Sequence, residues 1–328
     1  MKTGLQFRSA YLGFIGSFVI AQAIATSALA GVIVTPSAAV LTISADNAAN
    51  AQFPQFTRMS DIKLTESAAN DFANTFGTTK TLVIAAPTGW VFNTEAGRIT
   101  VNKGGDFASV AMLVSKGAIR INMQVKNTKH IDELVISGVE VMAVNGTKLP
   151  CLGQLHISAL QKGTAVIAGL KTTRNQDGQA GTNFGMLAQV AGNAAALAFT
   201  NRPDSSVVET VFDRQPVVVT IDQFGNPTSN GLAPVQNVRL KLSAGSGSLS
   251  GTLVLNIGTE GGNGRVVFDD VMADTEGAKK LMAVSTSLSF AVSAEFVVTD
   301  NNDAEISTDA YDPDLICAAF YGTSVNLG

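Results

Sequence analysis

Histidine, cysteine and paired carboxylates carry most acid–base, nucleophilic and metal chemistry. This chain holds two His and two Cys in 328 residues: His130, His156, Cys151 and Cys317. His130 sits in the polar stretch Asn127-Thr128-Lys129-His130. His156 lies between Leu155 and Ile157, out of phase with both, so alternation predicts that it faces solvent. Neither His belongs to an H-x-x-x-H or H-x-x-E-H pattern, and zinc wants three or four nitrogen and sulfur ligands. The carboxylate pairs Asp132-Glu133 and Asp269-Asp270 are chain neighbours, which point to opposite faces of a strand and make no acid/base couple. A glycosidase pair brought together from distant strands has no local signature. Oxygen ligands are densest in Asp300-Asn301-Asn302-Asp303-Ala304-Glu305. Calcium takes about six to eight such ligands, so Asp300, Asn302, Asp303 and Glu305 are the candidate set. The stretch lacks the glycine and spacing of an EF-hand, and a solvated acidic linker is the preferred reading. Nucleophile-elbow and phosphate-loop motifs are absent. The expectation is a protein without catalysis and without a required cofactor.

The elements around these residues speak of a compartment and an architecture. Hydrophobic residues make up 46%, ample for a core, and charged residues 15%, against roughly 25% in an average soluble domain. The formal charge is −4. No basic cluster is present, which argues against nucleic acid as a partner. Lys2 and Arg8 precede an apolar run from Tyr11 to Ile24, and Ala28-Leu29-Ala30 offers a small-residue exit. That is the pattern of a cleaved signal peptide over residues 1–30, the alternative being a retained anchor. The expected location is secreted, extracellular or on the cell surface. Removing Lys2 and Arg8 takes the formal charge from −4 to −6. Export permits a disulfide between Cys151 and Cys317, whose long loop closure is worth at most roughly 5 kcal/mol. Two buried free thiols are the competing state.

Apolar segments are short and punctuated by Gly, Pro, Asn and Asp. Ile119–Val125, Val139–Val141, Val238–Leu242 and Leu253–Ile257 alternate as strands with one wet face do. The β-branched run Val217–Ile221 suits a more deeply buried strand. Glu66–Phe76 has room for one or two helical turns, and Asn183–Ala196 is ambiguous. Trp90 and Phe92 share a strand face at spacing two, a core pattern before it is a sugar platform. The fold class is all-β: two tandem β-sandwiches over residues 57–195 and 196–299. An extended arm over residues 31–56 precedes them, and an acidic linker with a hydrophobic tail over 300–328 follows.

Residues 196–299 carry Ala196-Leu197-Ala198-Phe199-Thr200-Asn201-Arg202-Pro203, then Gln215-Pro216-Val217-Val218-Val219-Thr220-Ile221-Asp222-Gln223-Phe224-Gly225-Asn226-Pro227. Gly264-Arg265-Val266-Val267-Phe268 and Ala294-Glu295-Phe296-Val297-Val298-Thr299 follow in order. This resembles the Ig-like repeats of bacterial surface proteins, and the resemblance implies a non-catalytic sandwich on a surface. It lacks a second tandem copy, against a long stalk. Asp222–Pro227 reads as a turn that buries one Phe, and Gly261–Gly264 as a hairpin turn. The segments Asp61–Ala68 and Leu82–Phe92 are similar, more loosely, to strand modules of bacterial surface-layer proteins.

Two strand-forming stretches mark the arm. Val32 and Val34 share one face, and Leu41 and Ile43 another. An uncharged β-prone arm left in water invites aggregation, so it is expected to insert into a neighbour's sheet or to fold back on its own domain. The first option makes the protein a homo-oligomer or polymer: a structural subunit of a surface filament, sheath or layer. The alternative function is an adhesin or carbohydrate-binding protein, with a surface polysaccharide as partner.

Overall fold

The computed structural model describes residues 31–149, 152–161 and 163–300. Residues 1–30, Cys151, Cys317, Asn302, Asp303 and Glu305 lie outside the described residues. The protein is all-β, and its buried side chains form two clusters, one running from Val32 to Leu187 and one from Leu197 to Val298.

In the first domain a four-stranded antiparallel sheet runs in the order Val32–Thr35, Ile62–Glu66, Glu133–Ser137, Arg98–Lys103. A three-stranded antiparallel sheet runs Lys80–Ala85, Ala118–Val125, Phe107–Ser115. Alternation is realised in Ala118–Val125, where Ile119, Ile121 and Met123 are buried while Arg120 and Asn122 are exposed. Two smaller sheets close the ends. One joins Thr57–Arg58, Glu140–Ala143 and Trp90–Phe92, with Trp90 and Phe92 both in the core. The other joins Leu152–Gln154, Met186–Val190 and Leu41–Ser44, the last two running parallel.

The expected arm is part of this domain. Val32–Thr35 pairs with Ile62–Glu66 and Leu41–Ser44 with Met186–Val190. Val32 and Ile43 are buried, and Val34 and Leu41 pack half-buried on the same core. Donation to a neighbour, the first option read from the sequence, is therefore replaced here by pairing in cis. A short chain segment meets its own domain at a far higher effective concentration than another molecule's. The predicted helical turns over Glu66–Phe76 reduce to a single 3₁₀ turn, Ala73–Thr75.

In the second domain Ala196–Asn201, Val217–Ile221 and Arg265–Val267 form one sheet. Ser206–Val207, Phe296–Thr299, Gly277–Val284, Asn237–Ala244 and Val254–Asn256 form the other, with Ala291–Val292 beside Gly277–Val284. Leu197, Val218 and Val266 of the first sheet and Leu240, Leu281 and Phe296 of the second share one cluster, the arrangement of a sandwich. Ser206–Val207 lies parallel to Phe296–Thr299, the last strand of the domain. The turn at Gly261–Gly264 departs from the hairpin reading. Asn263 and Gly264 have φ of 45° and 86°, but the strands they join belong to opposite sheets, so the chain crosses the sandwich there. Lys279 is fully buried, and its ammonium donates to Ser246 O (2.8 Å), Thr275 Oγ1 (2.9 Å) and Glu276 O (3.3 Å). Its charge is spread over three neutral acceptors that close the ends of two loops. No helix among the described residues is long and apolar enough to cross a membrane.

Candidate assembly edge and interdomain junction

Phe107–Ser115 (FASVAMLVS) is a nine-residue strand at the margin of its sheet. It holds no charge, no Gly and no Pro. Among the described residues its backbone bonds go only to Ala118–Val125, so the groups on its other side are unpaired. Val110, Met112 and Val114 are half-buried against the core, as is Ile99 on the neighbouring terminal strand Arg98–Lys103. Leu113 is 64% exposed. The margins of both main sheets thus lie on one side of the domain, and the core is only partly covered there.

Other margins are short or protected. Lys80–Ala85 is met by Thr164, Ala165 and His156: Thr81 N donates to Thr164 Oγ1, Ala165 N to Thr81 O, and Ala85 and His156 exchange backbone bonds. Val32 N donates to Ala168 O, and Leu197 N to Ser289 O. Arg265–Val267 and Val254–Asn256 have three residues each. Arg98–Lys103 has a cation at either end. Natural sheets guard their edges with charge, proline, bulges or cover. Phe107–Ser115 has a bulge between Phe107 and Ser109 and the strand Arg98–Lys103 close beside it, with no backbone pairing between the two. The sequence reading did not single out this strand, although nine residues without a charge or a breaker, followed by the turn Lys116-Gly117, were a readable signal.

The turn Asp222–Pro227 does more than end a strand. Asp222 is buried, and its carboxylate accepts from Gly192 N (2.8 Å), Phe224 N (2.9 Å), Asn226 N (2.9 Å) and Asn226 Nδ2 (2.8 Å). Asn226 Nδ2 also donates to Gly146 O at 3.0 Å. Gln223 Nε2 donates to Asp46 Oδ1 at 2.9 Å, and its Oε1 accepts from Gln52 N at 3.0 Å. Asp46 Oδ2 accepts from Asn193 N at 2.7 Å. Phe224, expected to be buried within its own sandwich, packs instead on the core of the first domain. Gly146 makes room for it: a Cβ there would lie 2.2 Å from the ring. The turn is a wedge between domains.

Several other carboxylates hold loops together. Glu66 accepts from Phe72 N (2.8 Å) and Asp132 N (2.9 Å), and Asp132 from Gly105 N (2.9 Å). Asp106 accepts from Lys129 N (2.6 Å) and His130 N (2.8 Å) and lies 2.6 Å from His130 Nδ1. Burial pushes the carboxyls of Glu66 and Asp132 up, outweighing the backbone bonds they accept. Burial acts the same way on Asp106, but the His130 backbone and ring and the Lys129 backbone together hold it below the ordinary carboxylate range. These carboxylates fasten three loops at one end of the domain. Asp132 is buried and Glu133 faces Thr65 and Asn102, so the neighbours do diverge. Asp269 and Asp270 also hold no joint site; Asp270 accepts from Thr252 N and Oγ1. Among the described residues no group of three or more His, Cys, Asp or Glu is arranged to hold a metal ion. Asp300 is the last described residue.

His156 overturns the alternation reading. It is 3% exposed, with Leu155 and Ile157 buried beside it. Its backbone is bridged to Ala85, and the Nδ1 edge of its ring lies under the loop around Gly178, whose φ is 86°, while the ring borders the groove below the turn Ala85–Trp90. Cover by that distant loop leaves the position no open wet face to alternate toward.

No family model and no curated protein sequence matches the chain. Among solved structures it is similar to the major pilin subunit of Bacillus cereus, at 8% identity and a TM-score of 0.21, over 73% of this chain and 62% of that one. A likeness of that degree carries no argument about fold or function.

Proposed function

We propose that the protein is a non-catalytic, extracellular structural subunit of a bacterial surface assembly, joined to further copies of itself by pairing at Phe107–Ser115. The uncharged edge of that strand, which shares no backbone pairing with the nearby Arg98–Lys103, carries the reading. Antiparallel pairing of the strand with its counterpart in a second copy, centred on Ala111, sets Ser109 opposite Leu113 and brings no like charges together. It satisfies the open backbone groups and covers Leu113. The resemblance of residues 196–299 to Ig-like surface repeats and the secretory pattern of residues 1–30 support the location. A single isologous contact closes as a dimer, so growth into a filament or layer needs a second contact on another face.

Light scattering and negative-stain microscopy test this on the purified chain. The wild type is expected as dimers or larger assemblies, and the variant Ala111→Lys/Leu113→Lys as a monomer with unchanged melting temperature. A wild type that stays monomeric at high concentration, or a double variant that assembles normally, refutes it.

A further inference from the structure

We propose that the groove beside His156 is a binding site for a neutral, hydroxyl-rich ligand: one pyranose ring, free or at the end of an uncharged glycan. The groove has a volume of about 350 Å³ and is walled by the turn Ala85–Trp90, Gly117, His156, Ser158–Gln161 and Gln176. That lies at the small end of the range for small-molecule sites. Among the described residues no Lys, Arg, Asp or Glu lines it, so none of them would balance an anionic or cationic ligand.

Its polar atoms are already oriented. His156 Nδ1 lies 2.9 Å from Gln154 O, which places the ring proton on Nδ1 and leaves Nε2 as an acceptor. No hydrogen bond reaches Nε2 among the described residues. Thr88 Oγ1 donates to Gln176 Oε1 at 3.0 Å, leaving the Gln176 amide N–H groups to donate. Ser158 Oγ accepts from Leu160 N at 3.2 Å and keeps its own proton to give. Trp90, in the same wall, has a buried indole N–H with no acceptor. Leu160, 66% exposed on the rim, offers an apolar surface. Acceptor and donors side by side, without charge and beside an apolar patch, match a sugar ring, whose hydroxyls both give and accept and whose C–H face is apolar. A single imidazole nitrogen among neutral groups is no metal site.

Nitrogen–proton NMR of the full chain tests the proposal, with methyl α-glucoside, methyl α-galactoside and N-acetylglucosamine as neutral probes and galacturonate as the charged control. At least one neutral probe is expected to give saturable shifts at the amides of Thr88, Gly89 and Gly117. His156→Asn keeps a donor for Gln154 O but removes the Nε2 acceptor, and should weaken binding by about tenfold. Gln176→Ala and Leu160→Ala, both at exposed positions, should weaken it several-fold and decide the matter if His156→Asn does not fold. Absence of saturable shifts at these amides with all three neutral probes overturns the proposal. So does galacturonate binding equally well, or unchanged affinity in the groove variants.

Discussion

Adding a methyl group at Gly146 is the sharpest test of the interdomain wedge. Gly146 is buried, and its φ is not in the left-handed region, so alanine meets no backbone penalty there. The new Cβ would lie 2.2 Å from Cε2, 2.4 Å from Cδ2 and 2.5 Å from Cζ of Phe224. The ring must move, and the turn bonded around Asp222 resists it. Overpacking of this kind costs about 1–3 kcal/mol. Phe224→Ala removes the ring; full burial of a Phe is worth about 1.5–3 kcal/mol, and this one is half-buried, so about 1–2 kcal/mol is expected. In the Phe224→Ala background the methyl at position 146 meets nothing, and its cost should vanish. The cycle therefore has a coupling close to the whole cost of Gly146→Ala, about 1–3 kcal/mol. Urea denaturation followed by Trp90 fluorescence is the assay, because the only tryptophan belongs to the first domain. If Gly146→Ala costs as much without Phe224 as with it, the ring is not what that glycine accommodates.

Two further outcomes follow from buried charge. Lys279→Met leaves Glu276 O and the acceptor side of Thr275 Oγ1 without a donor, Ser246 O keeping only its bond from Thr275 Oγ1, and should destabilise the second domain by about 3 kcal/mol, measured by calorimetry. Folded-state carboxyls raised by burial, as at Glu66 and Asp132, contribute stability present below the unfolded carboxylate range and lost as pH rises through their folded values. Asp106, held low, contributes stability present above that range and lost as pH falls. The penalty of Glu66→Gln should shrink as pH rises, and that of Asp106→Asn should grow, in urea titrations across the carboxylate range.

Patterns carried by consecutive residues were legible. Ile119–Val125 alternates because one face meets the core and the other meets water. Val217–Val219 reads as a buried run and is buried. Reasoning failed wherever a partner came from far along the chain. His156 obeys alternation until the Gly178 loop covers its Nδ1 edge. Phe224 looks like a turn residue because its pocket is made by Gly146, in another domain. The arm at Val32–Ile43 was legible as strands, but their pairing was not, since the partners Ile62–Glu66 and Met186–Val190 differ in distance and direction. The edge Phe107–Ser115 was visible in composition, yet an edge is defined by the neighbour it lacks, which only the sheet order reveals.

The two parallel pairs near the domain ends have a mechanical meaning. Leu41–Ser44 lies beside Met186–Val190, and Ser206–Val207 beside Phe296–Thr299. In each domain an early strand is bonded in the same direction to the last one. Traction between the two ends of a domain pulls such strands in opposite senses along their common axis. The bonds between them are then loaded together, in shear, instead of parting one after another like a zip. A subunit whose domains each tie their second strand to their last in this way holds its length under tension, and it does so with main-chain geometry alone.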